Sequence, residues 1–120
     1  MIKILIVDDS KTSRKMLRGI LEDAGMEVIG EAADGQEALK LYTSLKPDIV
    51  TLDITMPVMD GIKALKELMA LDRTARIVMV TAAGQKGNVV EALKLGAKEF
   101  VAKPYEVDLI IDVINKAMEQ

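Results

Sequence analysis

Apolar runs of strand length alternate with stretches of helical period five times along this 120-residue chain, and few architectures accommodate such a pattern. Lys3-Ile4-Leu5-Ile6-Val7 is a continuous β-branched-rich run, as found in strands covered on both faces. Met16, Leu17, Ile20, Leu21 and Ala24 then recur at the spacing of one helix face. Ser10 is placed to cap that helix and Gly25 to stand just past its end. Glu27 to Ala32 reads as a second strand centred on Val28-Ile29. Asp34-Gly35-Gln36-Glu37 has the spacing of a capping box, with Asp in place of Ser or Thr. Ala38, Leu41, Tyr42 and Leu45 mark the helix behind it, which Pro47 stops. Ile49 to Leu52 is a third strand, and Asp60 caps a helix with Ile62, Leu65, Leu68 and Met69 inward. Ile77 to Val80 is a fourth strand, followed by a helix from about Gly87 to Leu95 that Gly96 stops. Phe100 to Ala102 forms a short fifth strand. A last helix, about Glu106 to Met118, turns Ile110, Val113, Ile114 and Ala117 inward.

Five βα units imply a parallel sheet with helices on both faces. Right-handed crossovers then leave few topologies. The expected fold class is α/β, a flavodoxin-like (βα)5 three-layer sandwich with the strand order 2-1-3-4-5 known for such sheets. A closed eight-stranded barrel needs about twice this length. Residues 1–120 are expected to form one domain, since the chain is too short for two ordinary cores.

Composition removes whole classes of function. Half the residues are hydrophobic, which excludes a disordered chain. One Phe, two Tyr and no Trp leave no stacking platform for single-stranded nucleic acid. Sixteen Lys and Arg against nineteen Asp and Glu give a net charge of −3, the opposite of a nucleic-acid footprint. Without Cys there is no disulfide framework, thiolate metal site or Cys nucleophile. Without His there is no Ser-His-Asp catalysis, His-ligated zinc or imidazole acid–base chemistry. No segment approaches the roughly 18 apolar residues of a membrane span, and the N-terminal run meets Asp8 too soon for a signal peptide. A cytoplasmic protein without membrane insertion is expected.

Ligands of open α/β sheets bind at the carboxyl ends of the strands, where strand order reverses. Here that point lies between the first and third strands. The first ends in Asp8-Asp9, the third in Asp53, the fourth in Thr81 and the fifth in Lys103-Pro104. Neighbouring strands are about 4.8 Å apart, so these tips share one cleft. Two like charges at 4 Å repel by about 4 kcal/mol at an effective dielectric near 20. A proton or a cation must relieve that repulsion. An all-oxygen site suits Mg²⁺, Mn²⁺ or Ca²⁺, and Mg²⁺ best, since it uses one or two carboxylates and is completed by phosphate oxygens. An ammonium and a hydroxyl beside one carboxylate describe a site for phosphoryl transfer to that carboxylate. Each residue also has a plainer reading: Asp9 as a helix cap, Lys103 as a solvated loop residue, Thr81 as a strand-end threonine. Asp34 and Asp60-Gly61 need only cap and turn the chain. The eight Met residues read as core filler.

Val7-Asp8-Asp9-Ser10, the stretch Asp53-Ile54-Thr55-Met56-Pro57-Val58-Met59-Asp60-Gly61, Val80-Thr81-Ala82 and Lys103-Pro104 resemble the receiver domains of two-component response regulators. The resemblance covers the whole chain in order. It is strongest toward the stand-alone chemotaxis regulators, through Asp-Ile-Thr-Met-Pro, Gly84-Gln85 and Gly96-Ala97-Lys98. The resemblance implies that Asp53 accepts a phosphoryl group from the phosphohistidine of a sensor histidine kinase. It implies that Asp9 and Asp53 ligate Mg²⁺, with Mn²⁺ as a substitute, that Asp8 acts through water, and that the Thr55 carbonyl completes the protein ligands. Thr81 and Lys103 would bind phosphoryl oxygens, together with backbone N–H groups near Thr55 and Ala82. The Lys103-Pro104 peptide is typically cis in such domains. Phe100 falls at the family's aromatic switch position, where Tyr is common; plain core packing is its alternative. Thr55 and Ala83 occupy positions that tune phosphoryl lifetime, and neither activates water, so hydrolysis over minutes is expected.

The implied output is a changed surface on the fourth helix, fifth strand and fifth helix. That surface would be read by a flagellar motor switch component or another protein target, with a phosphatase as a further partner and the chain itself a monomer. A phosphorelay intermediate is the close alternative. A Mg²⁺-dependent phosphohydrolase with an aspartyl-phosphate intermediate is less favoured, because Thr55 stands where a second Asp would serve as general acid. A flavodoxin-like cofactor binder lacks a Gly-rich turn after the first strand, where two acids repel phosphate.

Overall fold

The computed structural model describes residues 1–56, 58–82 and 86–120, with only the backbone of Lys86. Pro57, Ala83, Gly84 and Gln85, used in the sequence comparison above, lie outside the described residues. The elements alternate throughout: β1 Lys3–Val7, α1 Lys11–Asp23, β2 Glu27–Ala32, α2 Gly35–Leu45, β3 Ile49–Asp53, α3 Gly61–Leu71, β4 Ile77–Thr81, α4 Lys86–Leu95, β5 Glu99–Ala102 and α5 Val107–Glu119. All five strands pair in parallel in the order β2-β1-β3-β4-β5. The flavodoxin-like expectation is met. β3 and β4 each run one residue further than their apolar runs, so Asp53 and Thr81 are the last residues of their ladders.

The two-residue period of the strands sorts their side chains into two cores. Leu5, Val7, Val50, Leu52, Ile77 and Met79 pack against α2, α3 and α4. Ile4, Ile6, Ile49, Val78, Val80 and Val101 pack against Leu17 and Leu21 of α1 and Ile110, Val113, Ile114 and Ala117 of α5. Each such side chain contributes about 1.5–3 kcal/mol on burial. The continuous apolar runs of β1, β3 and β4 are what a sheet covered on both sides requires.

Capping follows the sequence closely. Ser10 Oγ accepts from Ser13 N at 3.2 Å, Asp34 from Glu37 N at 2.9 Å and Asp60 from Lys63 N at 2.9 Å. The Glu37 carboxylate reaches back to the Ala33 amide at 3.2 Å, so the capping box closes one residue before the cap. Gly25 has φ +83° at the end of α1, where a left-handed residue favours glycine.

Three expectations need correction. Met16 is 54% exposed, and Ala24 is the exposed C-cap of α1, so the buried face of that helix is Leu17 and Leu21. Both outliers lie at the edge of the apolar stripe, where spacing does not distinguish a core side chain from a rim one. Ile29 is not a centre of pairing: Ile4 pairs with Val28 and Leu5 with Gly30, which leaves Ile29 in a register shift. Of the methionines, Met26, Met56, Met59 and Met79 are buried, while Met1 and Met16 are exposed.

Candidate functional site

β1 and β3 lie side by side, with Val7 opposite Leu52, so the residues that follow them meet at one end of the sheet. The carboxylates of Asp8, Asp9 and Asp53 each offer an oxygen within 4.8 Å of the others. The adjacent aspartates divide sharply. Asp8 is 2% exposed and Asp53 7%, while Asp9 faces solvent. Asp8 Oδ1 accepts from the Ser10 amide at 2.9 Å.

Lys103 enters from the end of β5. Its amide donates to the Thr81 carbonyl at 2.8 Å, continuing the β4–β5 ladder. The Lys103-Pro104 peptide is cis, as the resemblance implied. The ammonium stands 2.9 Å from Asp8 Oδ2 and 3.3 Å from Asp53 Oδ2. It therefore bridges the two buried carboxylates, and the solvated-loop reading of Lys103 is set aside.

The three groups perturb one another. Burial and then the Asp8 charge push the Asp53 carboxyl up to about 6, against the pull of Lys103. Burial also opposes ionisation of Asp8, but the Ser10 amide, Lys103 and Ser13 outweigh it and hold Asp8 below the usual carboxylate range. For Lys103 burial is outweighed by the Asp8 and Asp53 carboxylates, and its pKa is raised.

Of the remaining predicted site residues, Thr55 touches this triad through its backbone. The Thr55 amide donates to Asp53 Oδ1 at 3.4 Å. Thr81 is buried, with its hydroxyl donating to the Ala82 carbonyl at 3.1 Å, and Ala82 itself is exposed. Phe100 is 45% exposed, not a core residue. It pairs with Met79, and Ala102 pairs with Thr81, so Phe100 and Thr81 stand on the same face of the sheet.

Sequence reasoning missed two supports. Arg14 donates from its guanidinium to the Asp8 carbonyl and, at 3.0 Å, to Glu31 on β2; Arg18 holds the other Glu31 oxygen at 2.8 Å. The i, i+4 spacing of the two arginines was visible, but their shared acid on another element was not. Gly61 has no room for a side chain: a Cβ would overlap the Asp53 carbonyl and stand 2.6 Å from Ile54 Cα. Its amide donates to the Ile54 carbonyl at 2.7 Å. This close approach seats the start of α3 against the end of β3.

The donor set fits a hard divalent cation of the Mg²⁺ kind: three carboxylates, no nitrogen or sulfur, two of them buried at a strand switch point. A five-stranded parallel sheet that gathers three acids, a lysine and a threonine at one end is the arrangement of a receiver domain. The response regulator receiver domain family matches residues 4–115, and the chain belongs to that family. It is 50% identical over 117 residues to the chemotaxis protein CheY of Listeria monocytogenes, covering 98% of each chain. Among solved structures, it is similar to the response regulator domain of Thermotoga maritima CheB, with TM-score 0.92, 36% identity and coverage of 100% of this chain and 98% of that one. It is also similar to a chain of the CheX-CheY-BeF3-Mg²⁺ complex of Borrelia burgdorferi, with TM-score 0.90, 42% identity and coverage of 94% and 86%. Among the described residues, no helix is long and apolar enough to cross a membrane.

Proposed function

We propose that this chain is a cytoplasmic, CheY-like signalling receiver that takes a phosphoryl group on Asp53 from a sensor histidine kinase. The observation that carries the reading is the Lys103 ammonium seated between Asp8 and Asp53 beside a third carboxylate. Asp53 attacks phosphorus; the bond from phosphorus to the donor nitrogen breaks and its electron pair returns to the imidazole. Gly61 packs directly on the backbone of Asp53 and Ile54, at the foot of that carboxylate. Lys103 and the Thr81 hydroxyl take phosphoryl oxygens, with amides near Thr55 and Ala82. Asp9, Asp53 and the Thr55 carbonyl would hold Mg²⁺, or Mn²⁺ in its place, with Asp8 acting through water, and the ion would supply neutralising charge for the transferring group. Asp53 must be ionised to act, and Lys103 favours that form against burial and Asp8.

The output follows from the position of Thr81 and Phe100 on one sheet face. Movement of Thr81 toward a phosphoryl group opens space on the side where Phe100 stands, and Phe100 turns inward. Exposed Val90 and Leu93 on α4, Phe100 on β5, and Val107 and Leu109 on α5 form the surface that changes partner affinity. The partner in this reading is a flagellar motor switch component or another protein target. A phosphatase is a second partner; the Borrelia burgdorferi relative is held in a complex with CheX.

Labelling with radioactive acetyl phosphate tests the reading. The wild type incorporates label, Asp53→Ala does not, and EDTA abolishes incorporation. Label retained by Asp53→Ala would sink the assignment of the acceptor. Capture of a motor switch protein by the phosphorylated form, against onward transfer to a histidine phosphotransfer protein, separates motor signalling from a phosphorelay.

A further inference from the structure

A tether joins the two segments that carry the bridged pair. Ser13 lies in the first turn of α1, four residues after Asp9. Tyr105 lies two residues after Lys103, its ring packed against the α1/α5 core. Their hydroxyls are 3.0 Å apart across 92 residues of sequence. Ser13 is the neighbour of Arg14, which holds the Asp8 carbonyl. The first turn of α1 thus grips the Asp8 backbone with one side chain and the Lys103 loop with the next.

On the side before it, Lys103 is fixed by its amide bond to the Thr81 carbonyl. On the side after it, among the described residues, the Ser13–Tyr105 bond is the side-chain hydrogen bond that fastens the loop. We infer that Ser13 and Tyr105 are positioning residues, whose hydroxyl–hydroxyl bond sets where the Lys103 ammonium stands over Asp8 and Asp53. The inference rests on the reading of Asp53 as phosphoryl acceptor. A lysine stem has several rotatable bonds, so its backbone anchor decides how often the ammonium is in place. A misplacement of about 1 Å in a reacting site costs up to about 100-fold in rate.

The test uses Tyr105→Phe, Ser13→Ala, the double variant and Ser13→Thr, well below their melting temperatures. Tyr105→Phe and Ser13→Ala are expected to lower the maximum rate of acetyl phosphate labelling about three- to ten-fold, the equivalent of one hydrogen bond. The double variant is expected to be no slower than Ser13→Ala, because that change already removes the Tyr105 bond together with the Ser13 contact to Asp8. Ser13→Thr keeps a hydroxyl and is expected to restore the rate. A second readout needs neither metal nor phosphate. In the NMR spectrum of metal-free protein, the Lys103 ε-methylene protons, held inequivalent beside Asp8, are expected to average toward free-lysine shifts in the variants. Rates within two-fold of wild type and an unchanged Lys103 signal, alongside an unlabelled Asp53→Ala, would overturn the tether alone. Labelling that survives Asp53→Ala would overturn the acceptor reading, and this inference with it.

Discussion

Gly61 packs so tightly on the backbone of Asp53 that a Cβ at this position would overlap the Asp53 carbonyl oxygen. The start of α3 and the end of β3 therefore share space that only glycine leaves free. The obstacle is backbone on both sides, so no rotamer change relieves it. Gly61→Ala is expected to destabilise the fold by about 3 kcal/mol or more, as overpacking against an immovable neighbour does. It should also displace the Asp53 carboxylate. Urea denaturation measures the first effect and acetyl phosphate labelling the second. Wild-type stability in the variant would show that α3 can shift freely.

Asp53 couples the site to pH. Its carboxyl titrates near 6 in the metal-free fold, raised first by burial and then by Asp8, against 3.8 as the ordinary value. The folded state thus holds this proton more tightly than the unfolded chain. The contribution of Asp53 to stability therefore falls as pH rises from about 4 through 6, and stays low above that. Asp53→Asn removes the penalty. In EDTA at pH 7 the variant is expected to be more stable than the wild type by about 1–3 kcal/mol. The difference should shrink as pH falls toward 4. Melting curves across that range check it, and a gain independent of pH would exclude this cause.

Removal of Lys103 leaves Asp8 buried beside Asp53 with its ammonium gone. Lys103→Ala is expected to cost about 2 kcal/mol in metal-free buffer, in the manner of a broken buried pair. A divalent cation should substitute for the lost charge. Millimolar MgCl₂ is therefore expected to raise the melting temperature of the variant more than that of the wild type. Equal increments for the two proteins would show that Lys103 and the cation do not serve the same carboxylates.

Two positions favour other residues. Val58 has φ +68°, where a β-branched side chain is strained, and it is exposed. Val58→Asn is expected to stabilise the fold by about 1 kcal/mol, because Asn tolerates the left-handed region. Unchanged denaturation midpoints would show that the loop relieves the strain elsewhere.

Thr51 lies on β3 between Ile6 and Val78, and among the described residues its buried hydroxyl has no hydrogen-bond partner. Thr51→Val keeps the shape and removes the orphan oxygen. A gain of about 1 kcal/mol in chemical denaturation is expected. A loss would show that the hydroxyl has a bound water as partner.

The ten elements, their alternation and the residues that gather in the cleft can all be read from the local pattern of the chain. The physical reason is that strand and helix periods are local, and parallel strands bring their carboxyl ends to one side without further instruction. Asp8, Asp9, Asp53, Thr81 and Lys103 are legible for that reason alone, although each is unremarked in isolation. Tertiary packing alone settles which of two adjacent aspartates is buried, because that depends on how the chain leaves β1. It alone placed Met16 in solvent, since a helix stripe has edges that spacing does not mark. It alone showed Lys103 between Asp8 and Asp53, Arg14 on Glu31 and the Asp8 carbonyl, and Ser13 on Tyr105. Those contacts join residues on different elements, and their distances are sums over every intervening turn and packing angle. No local pattern carries such a sum.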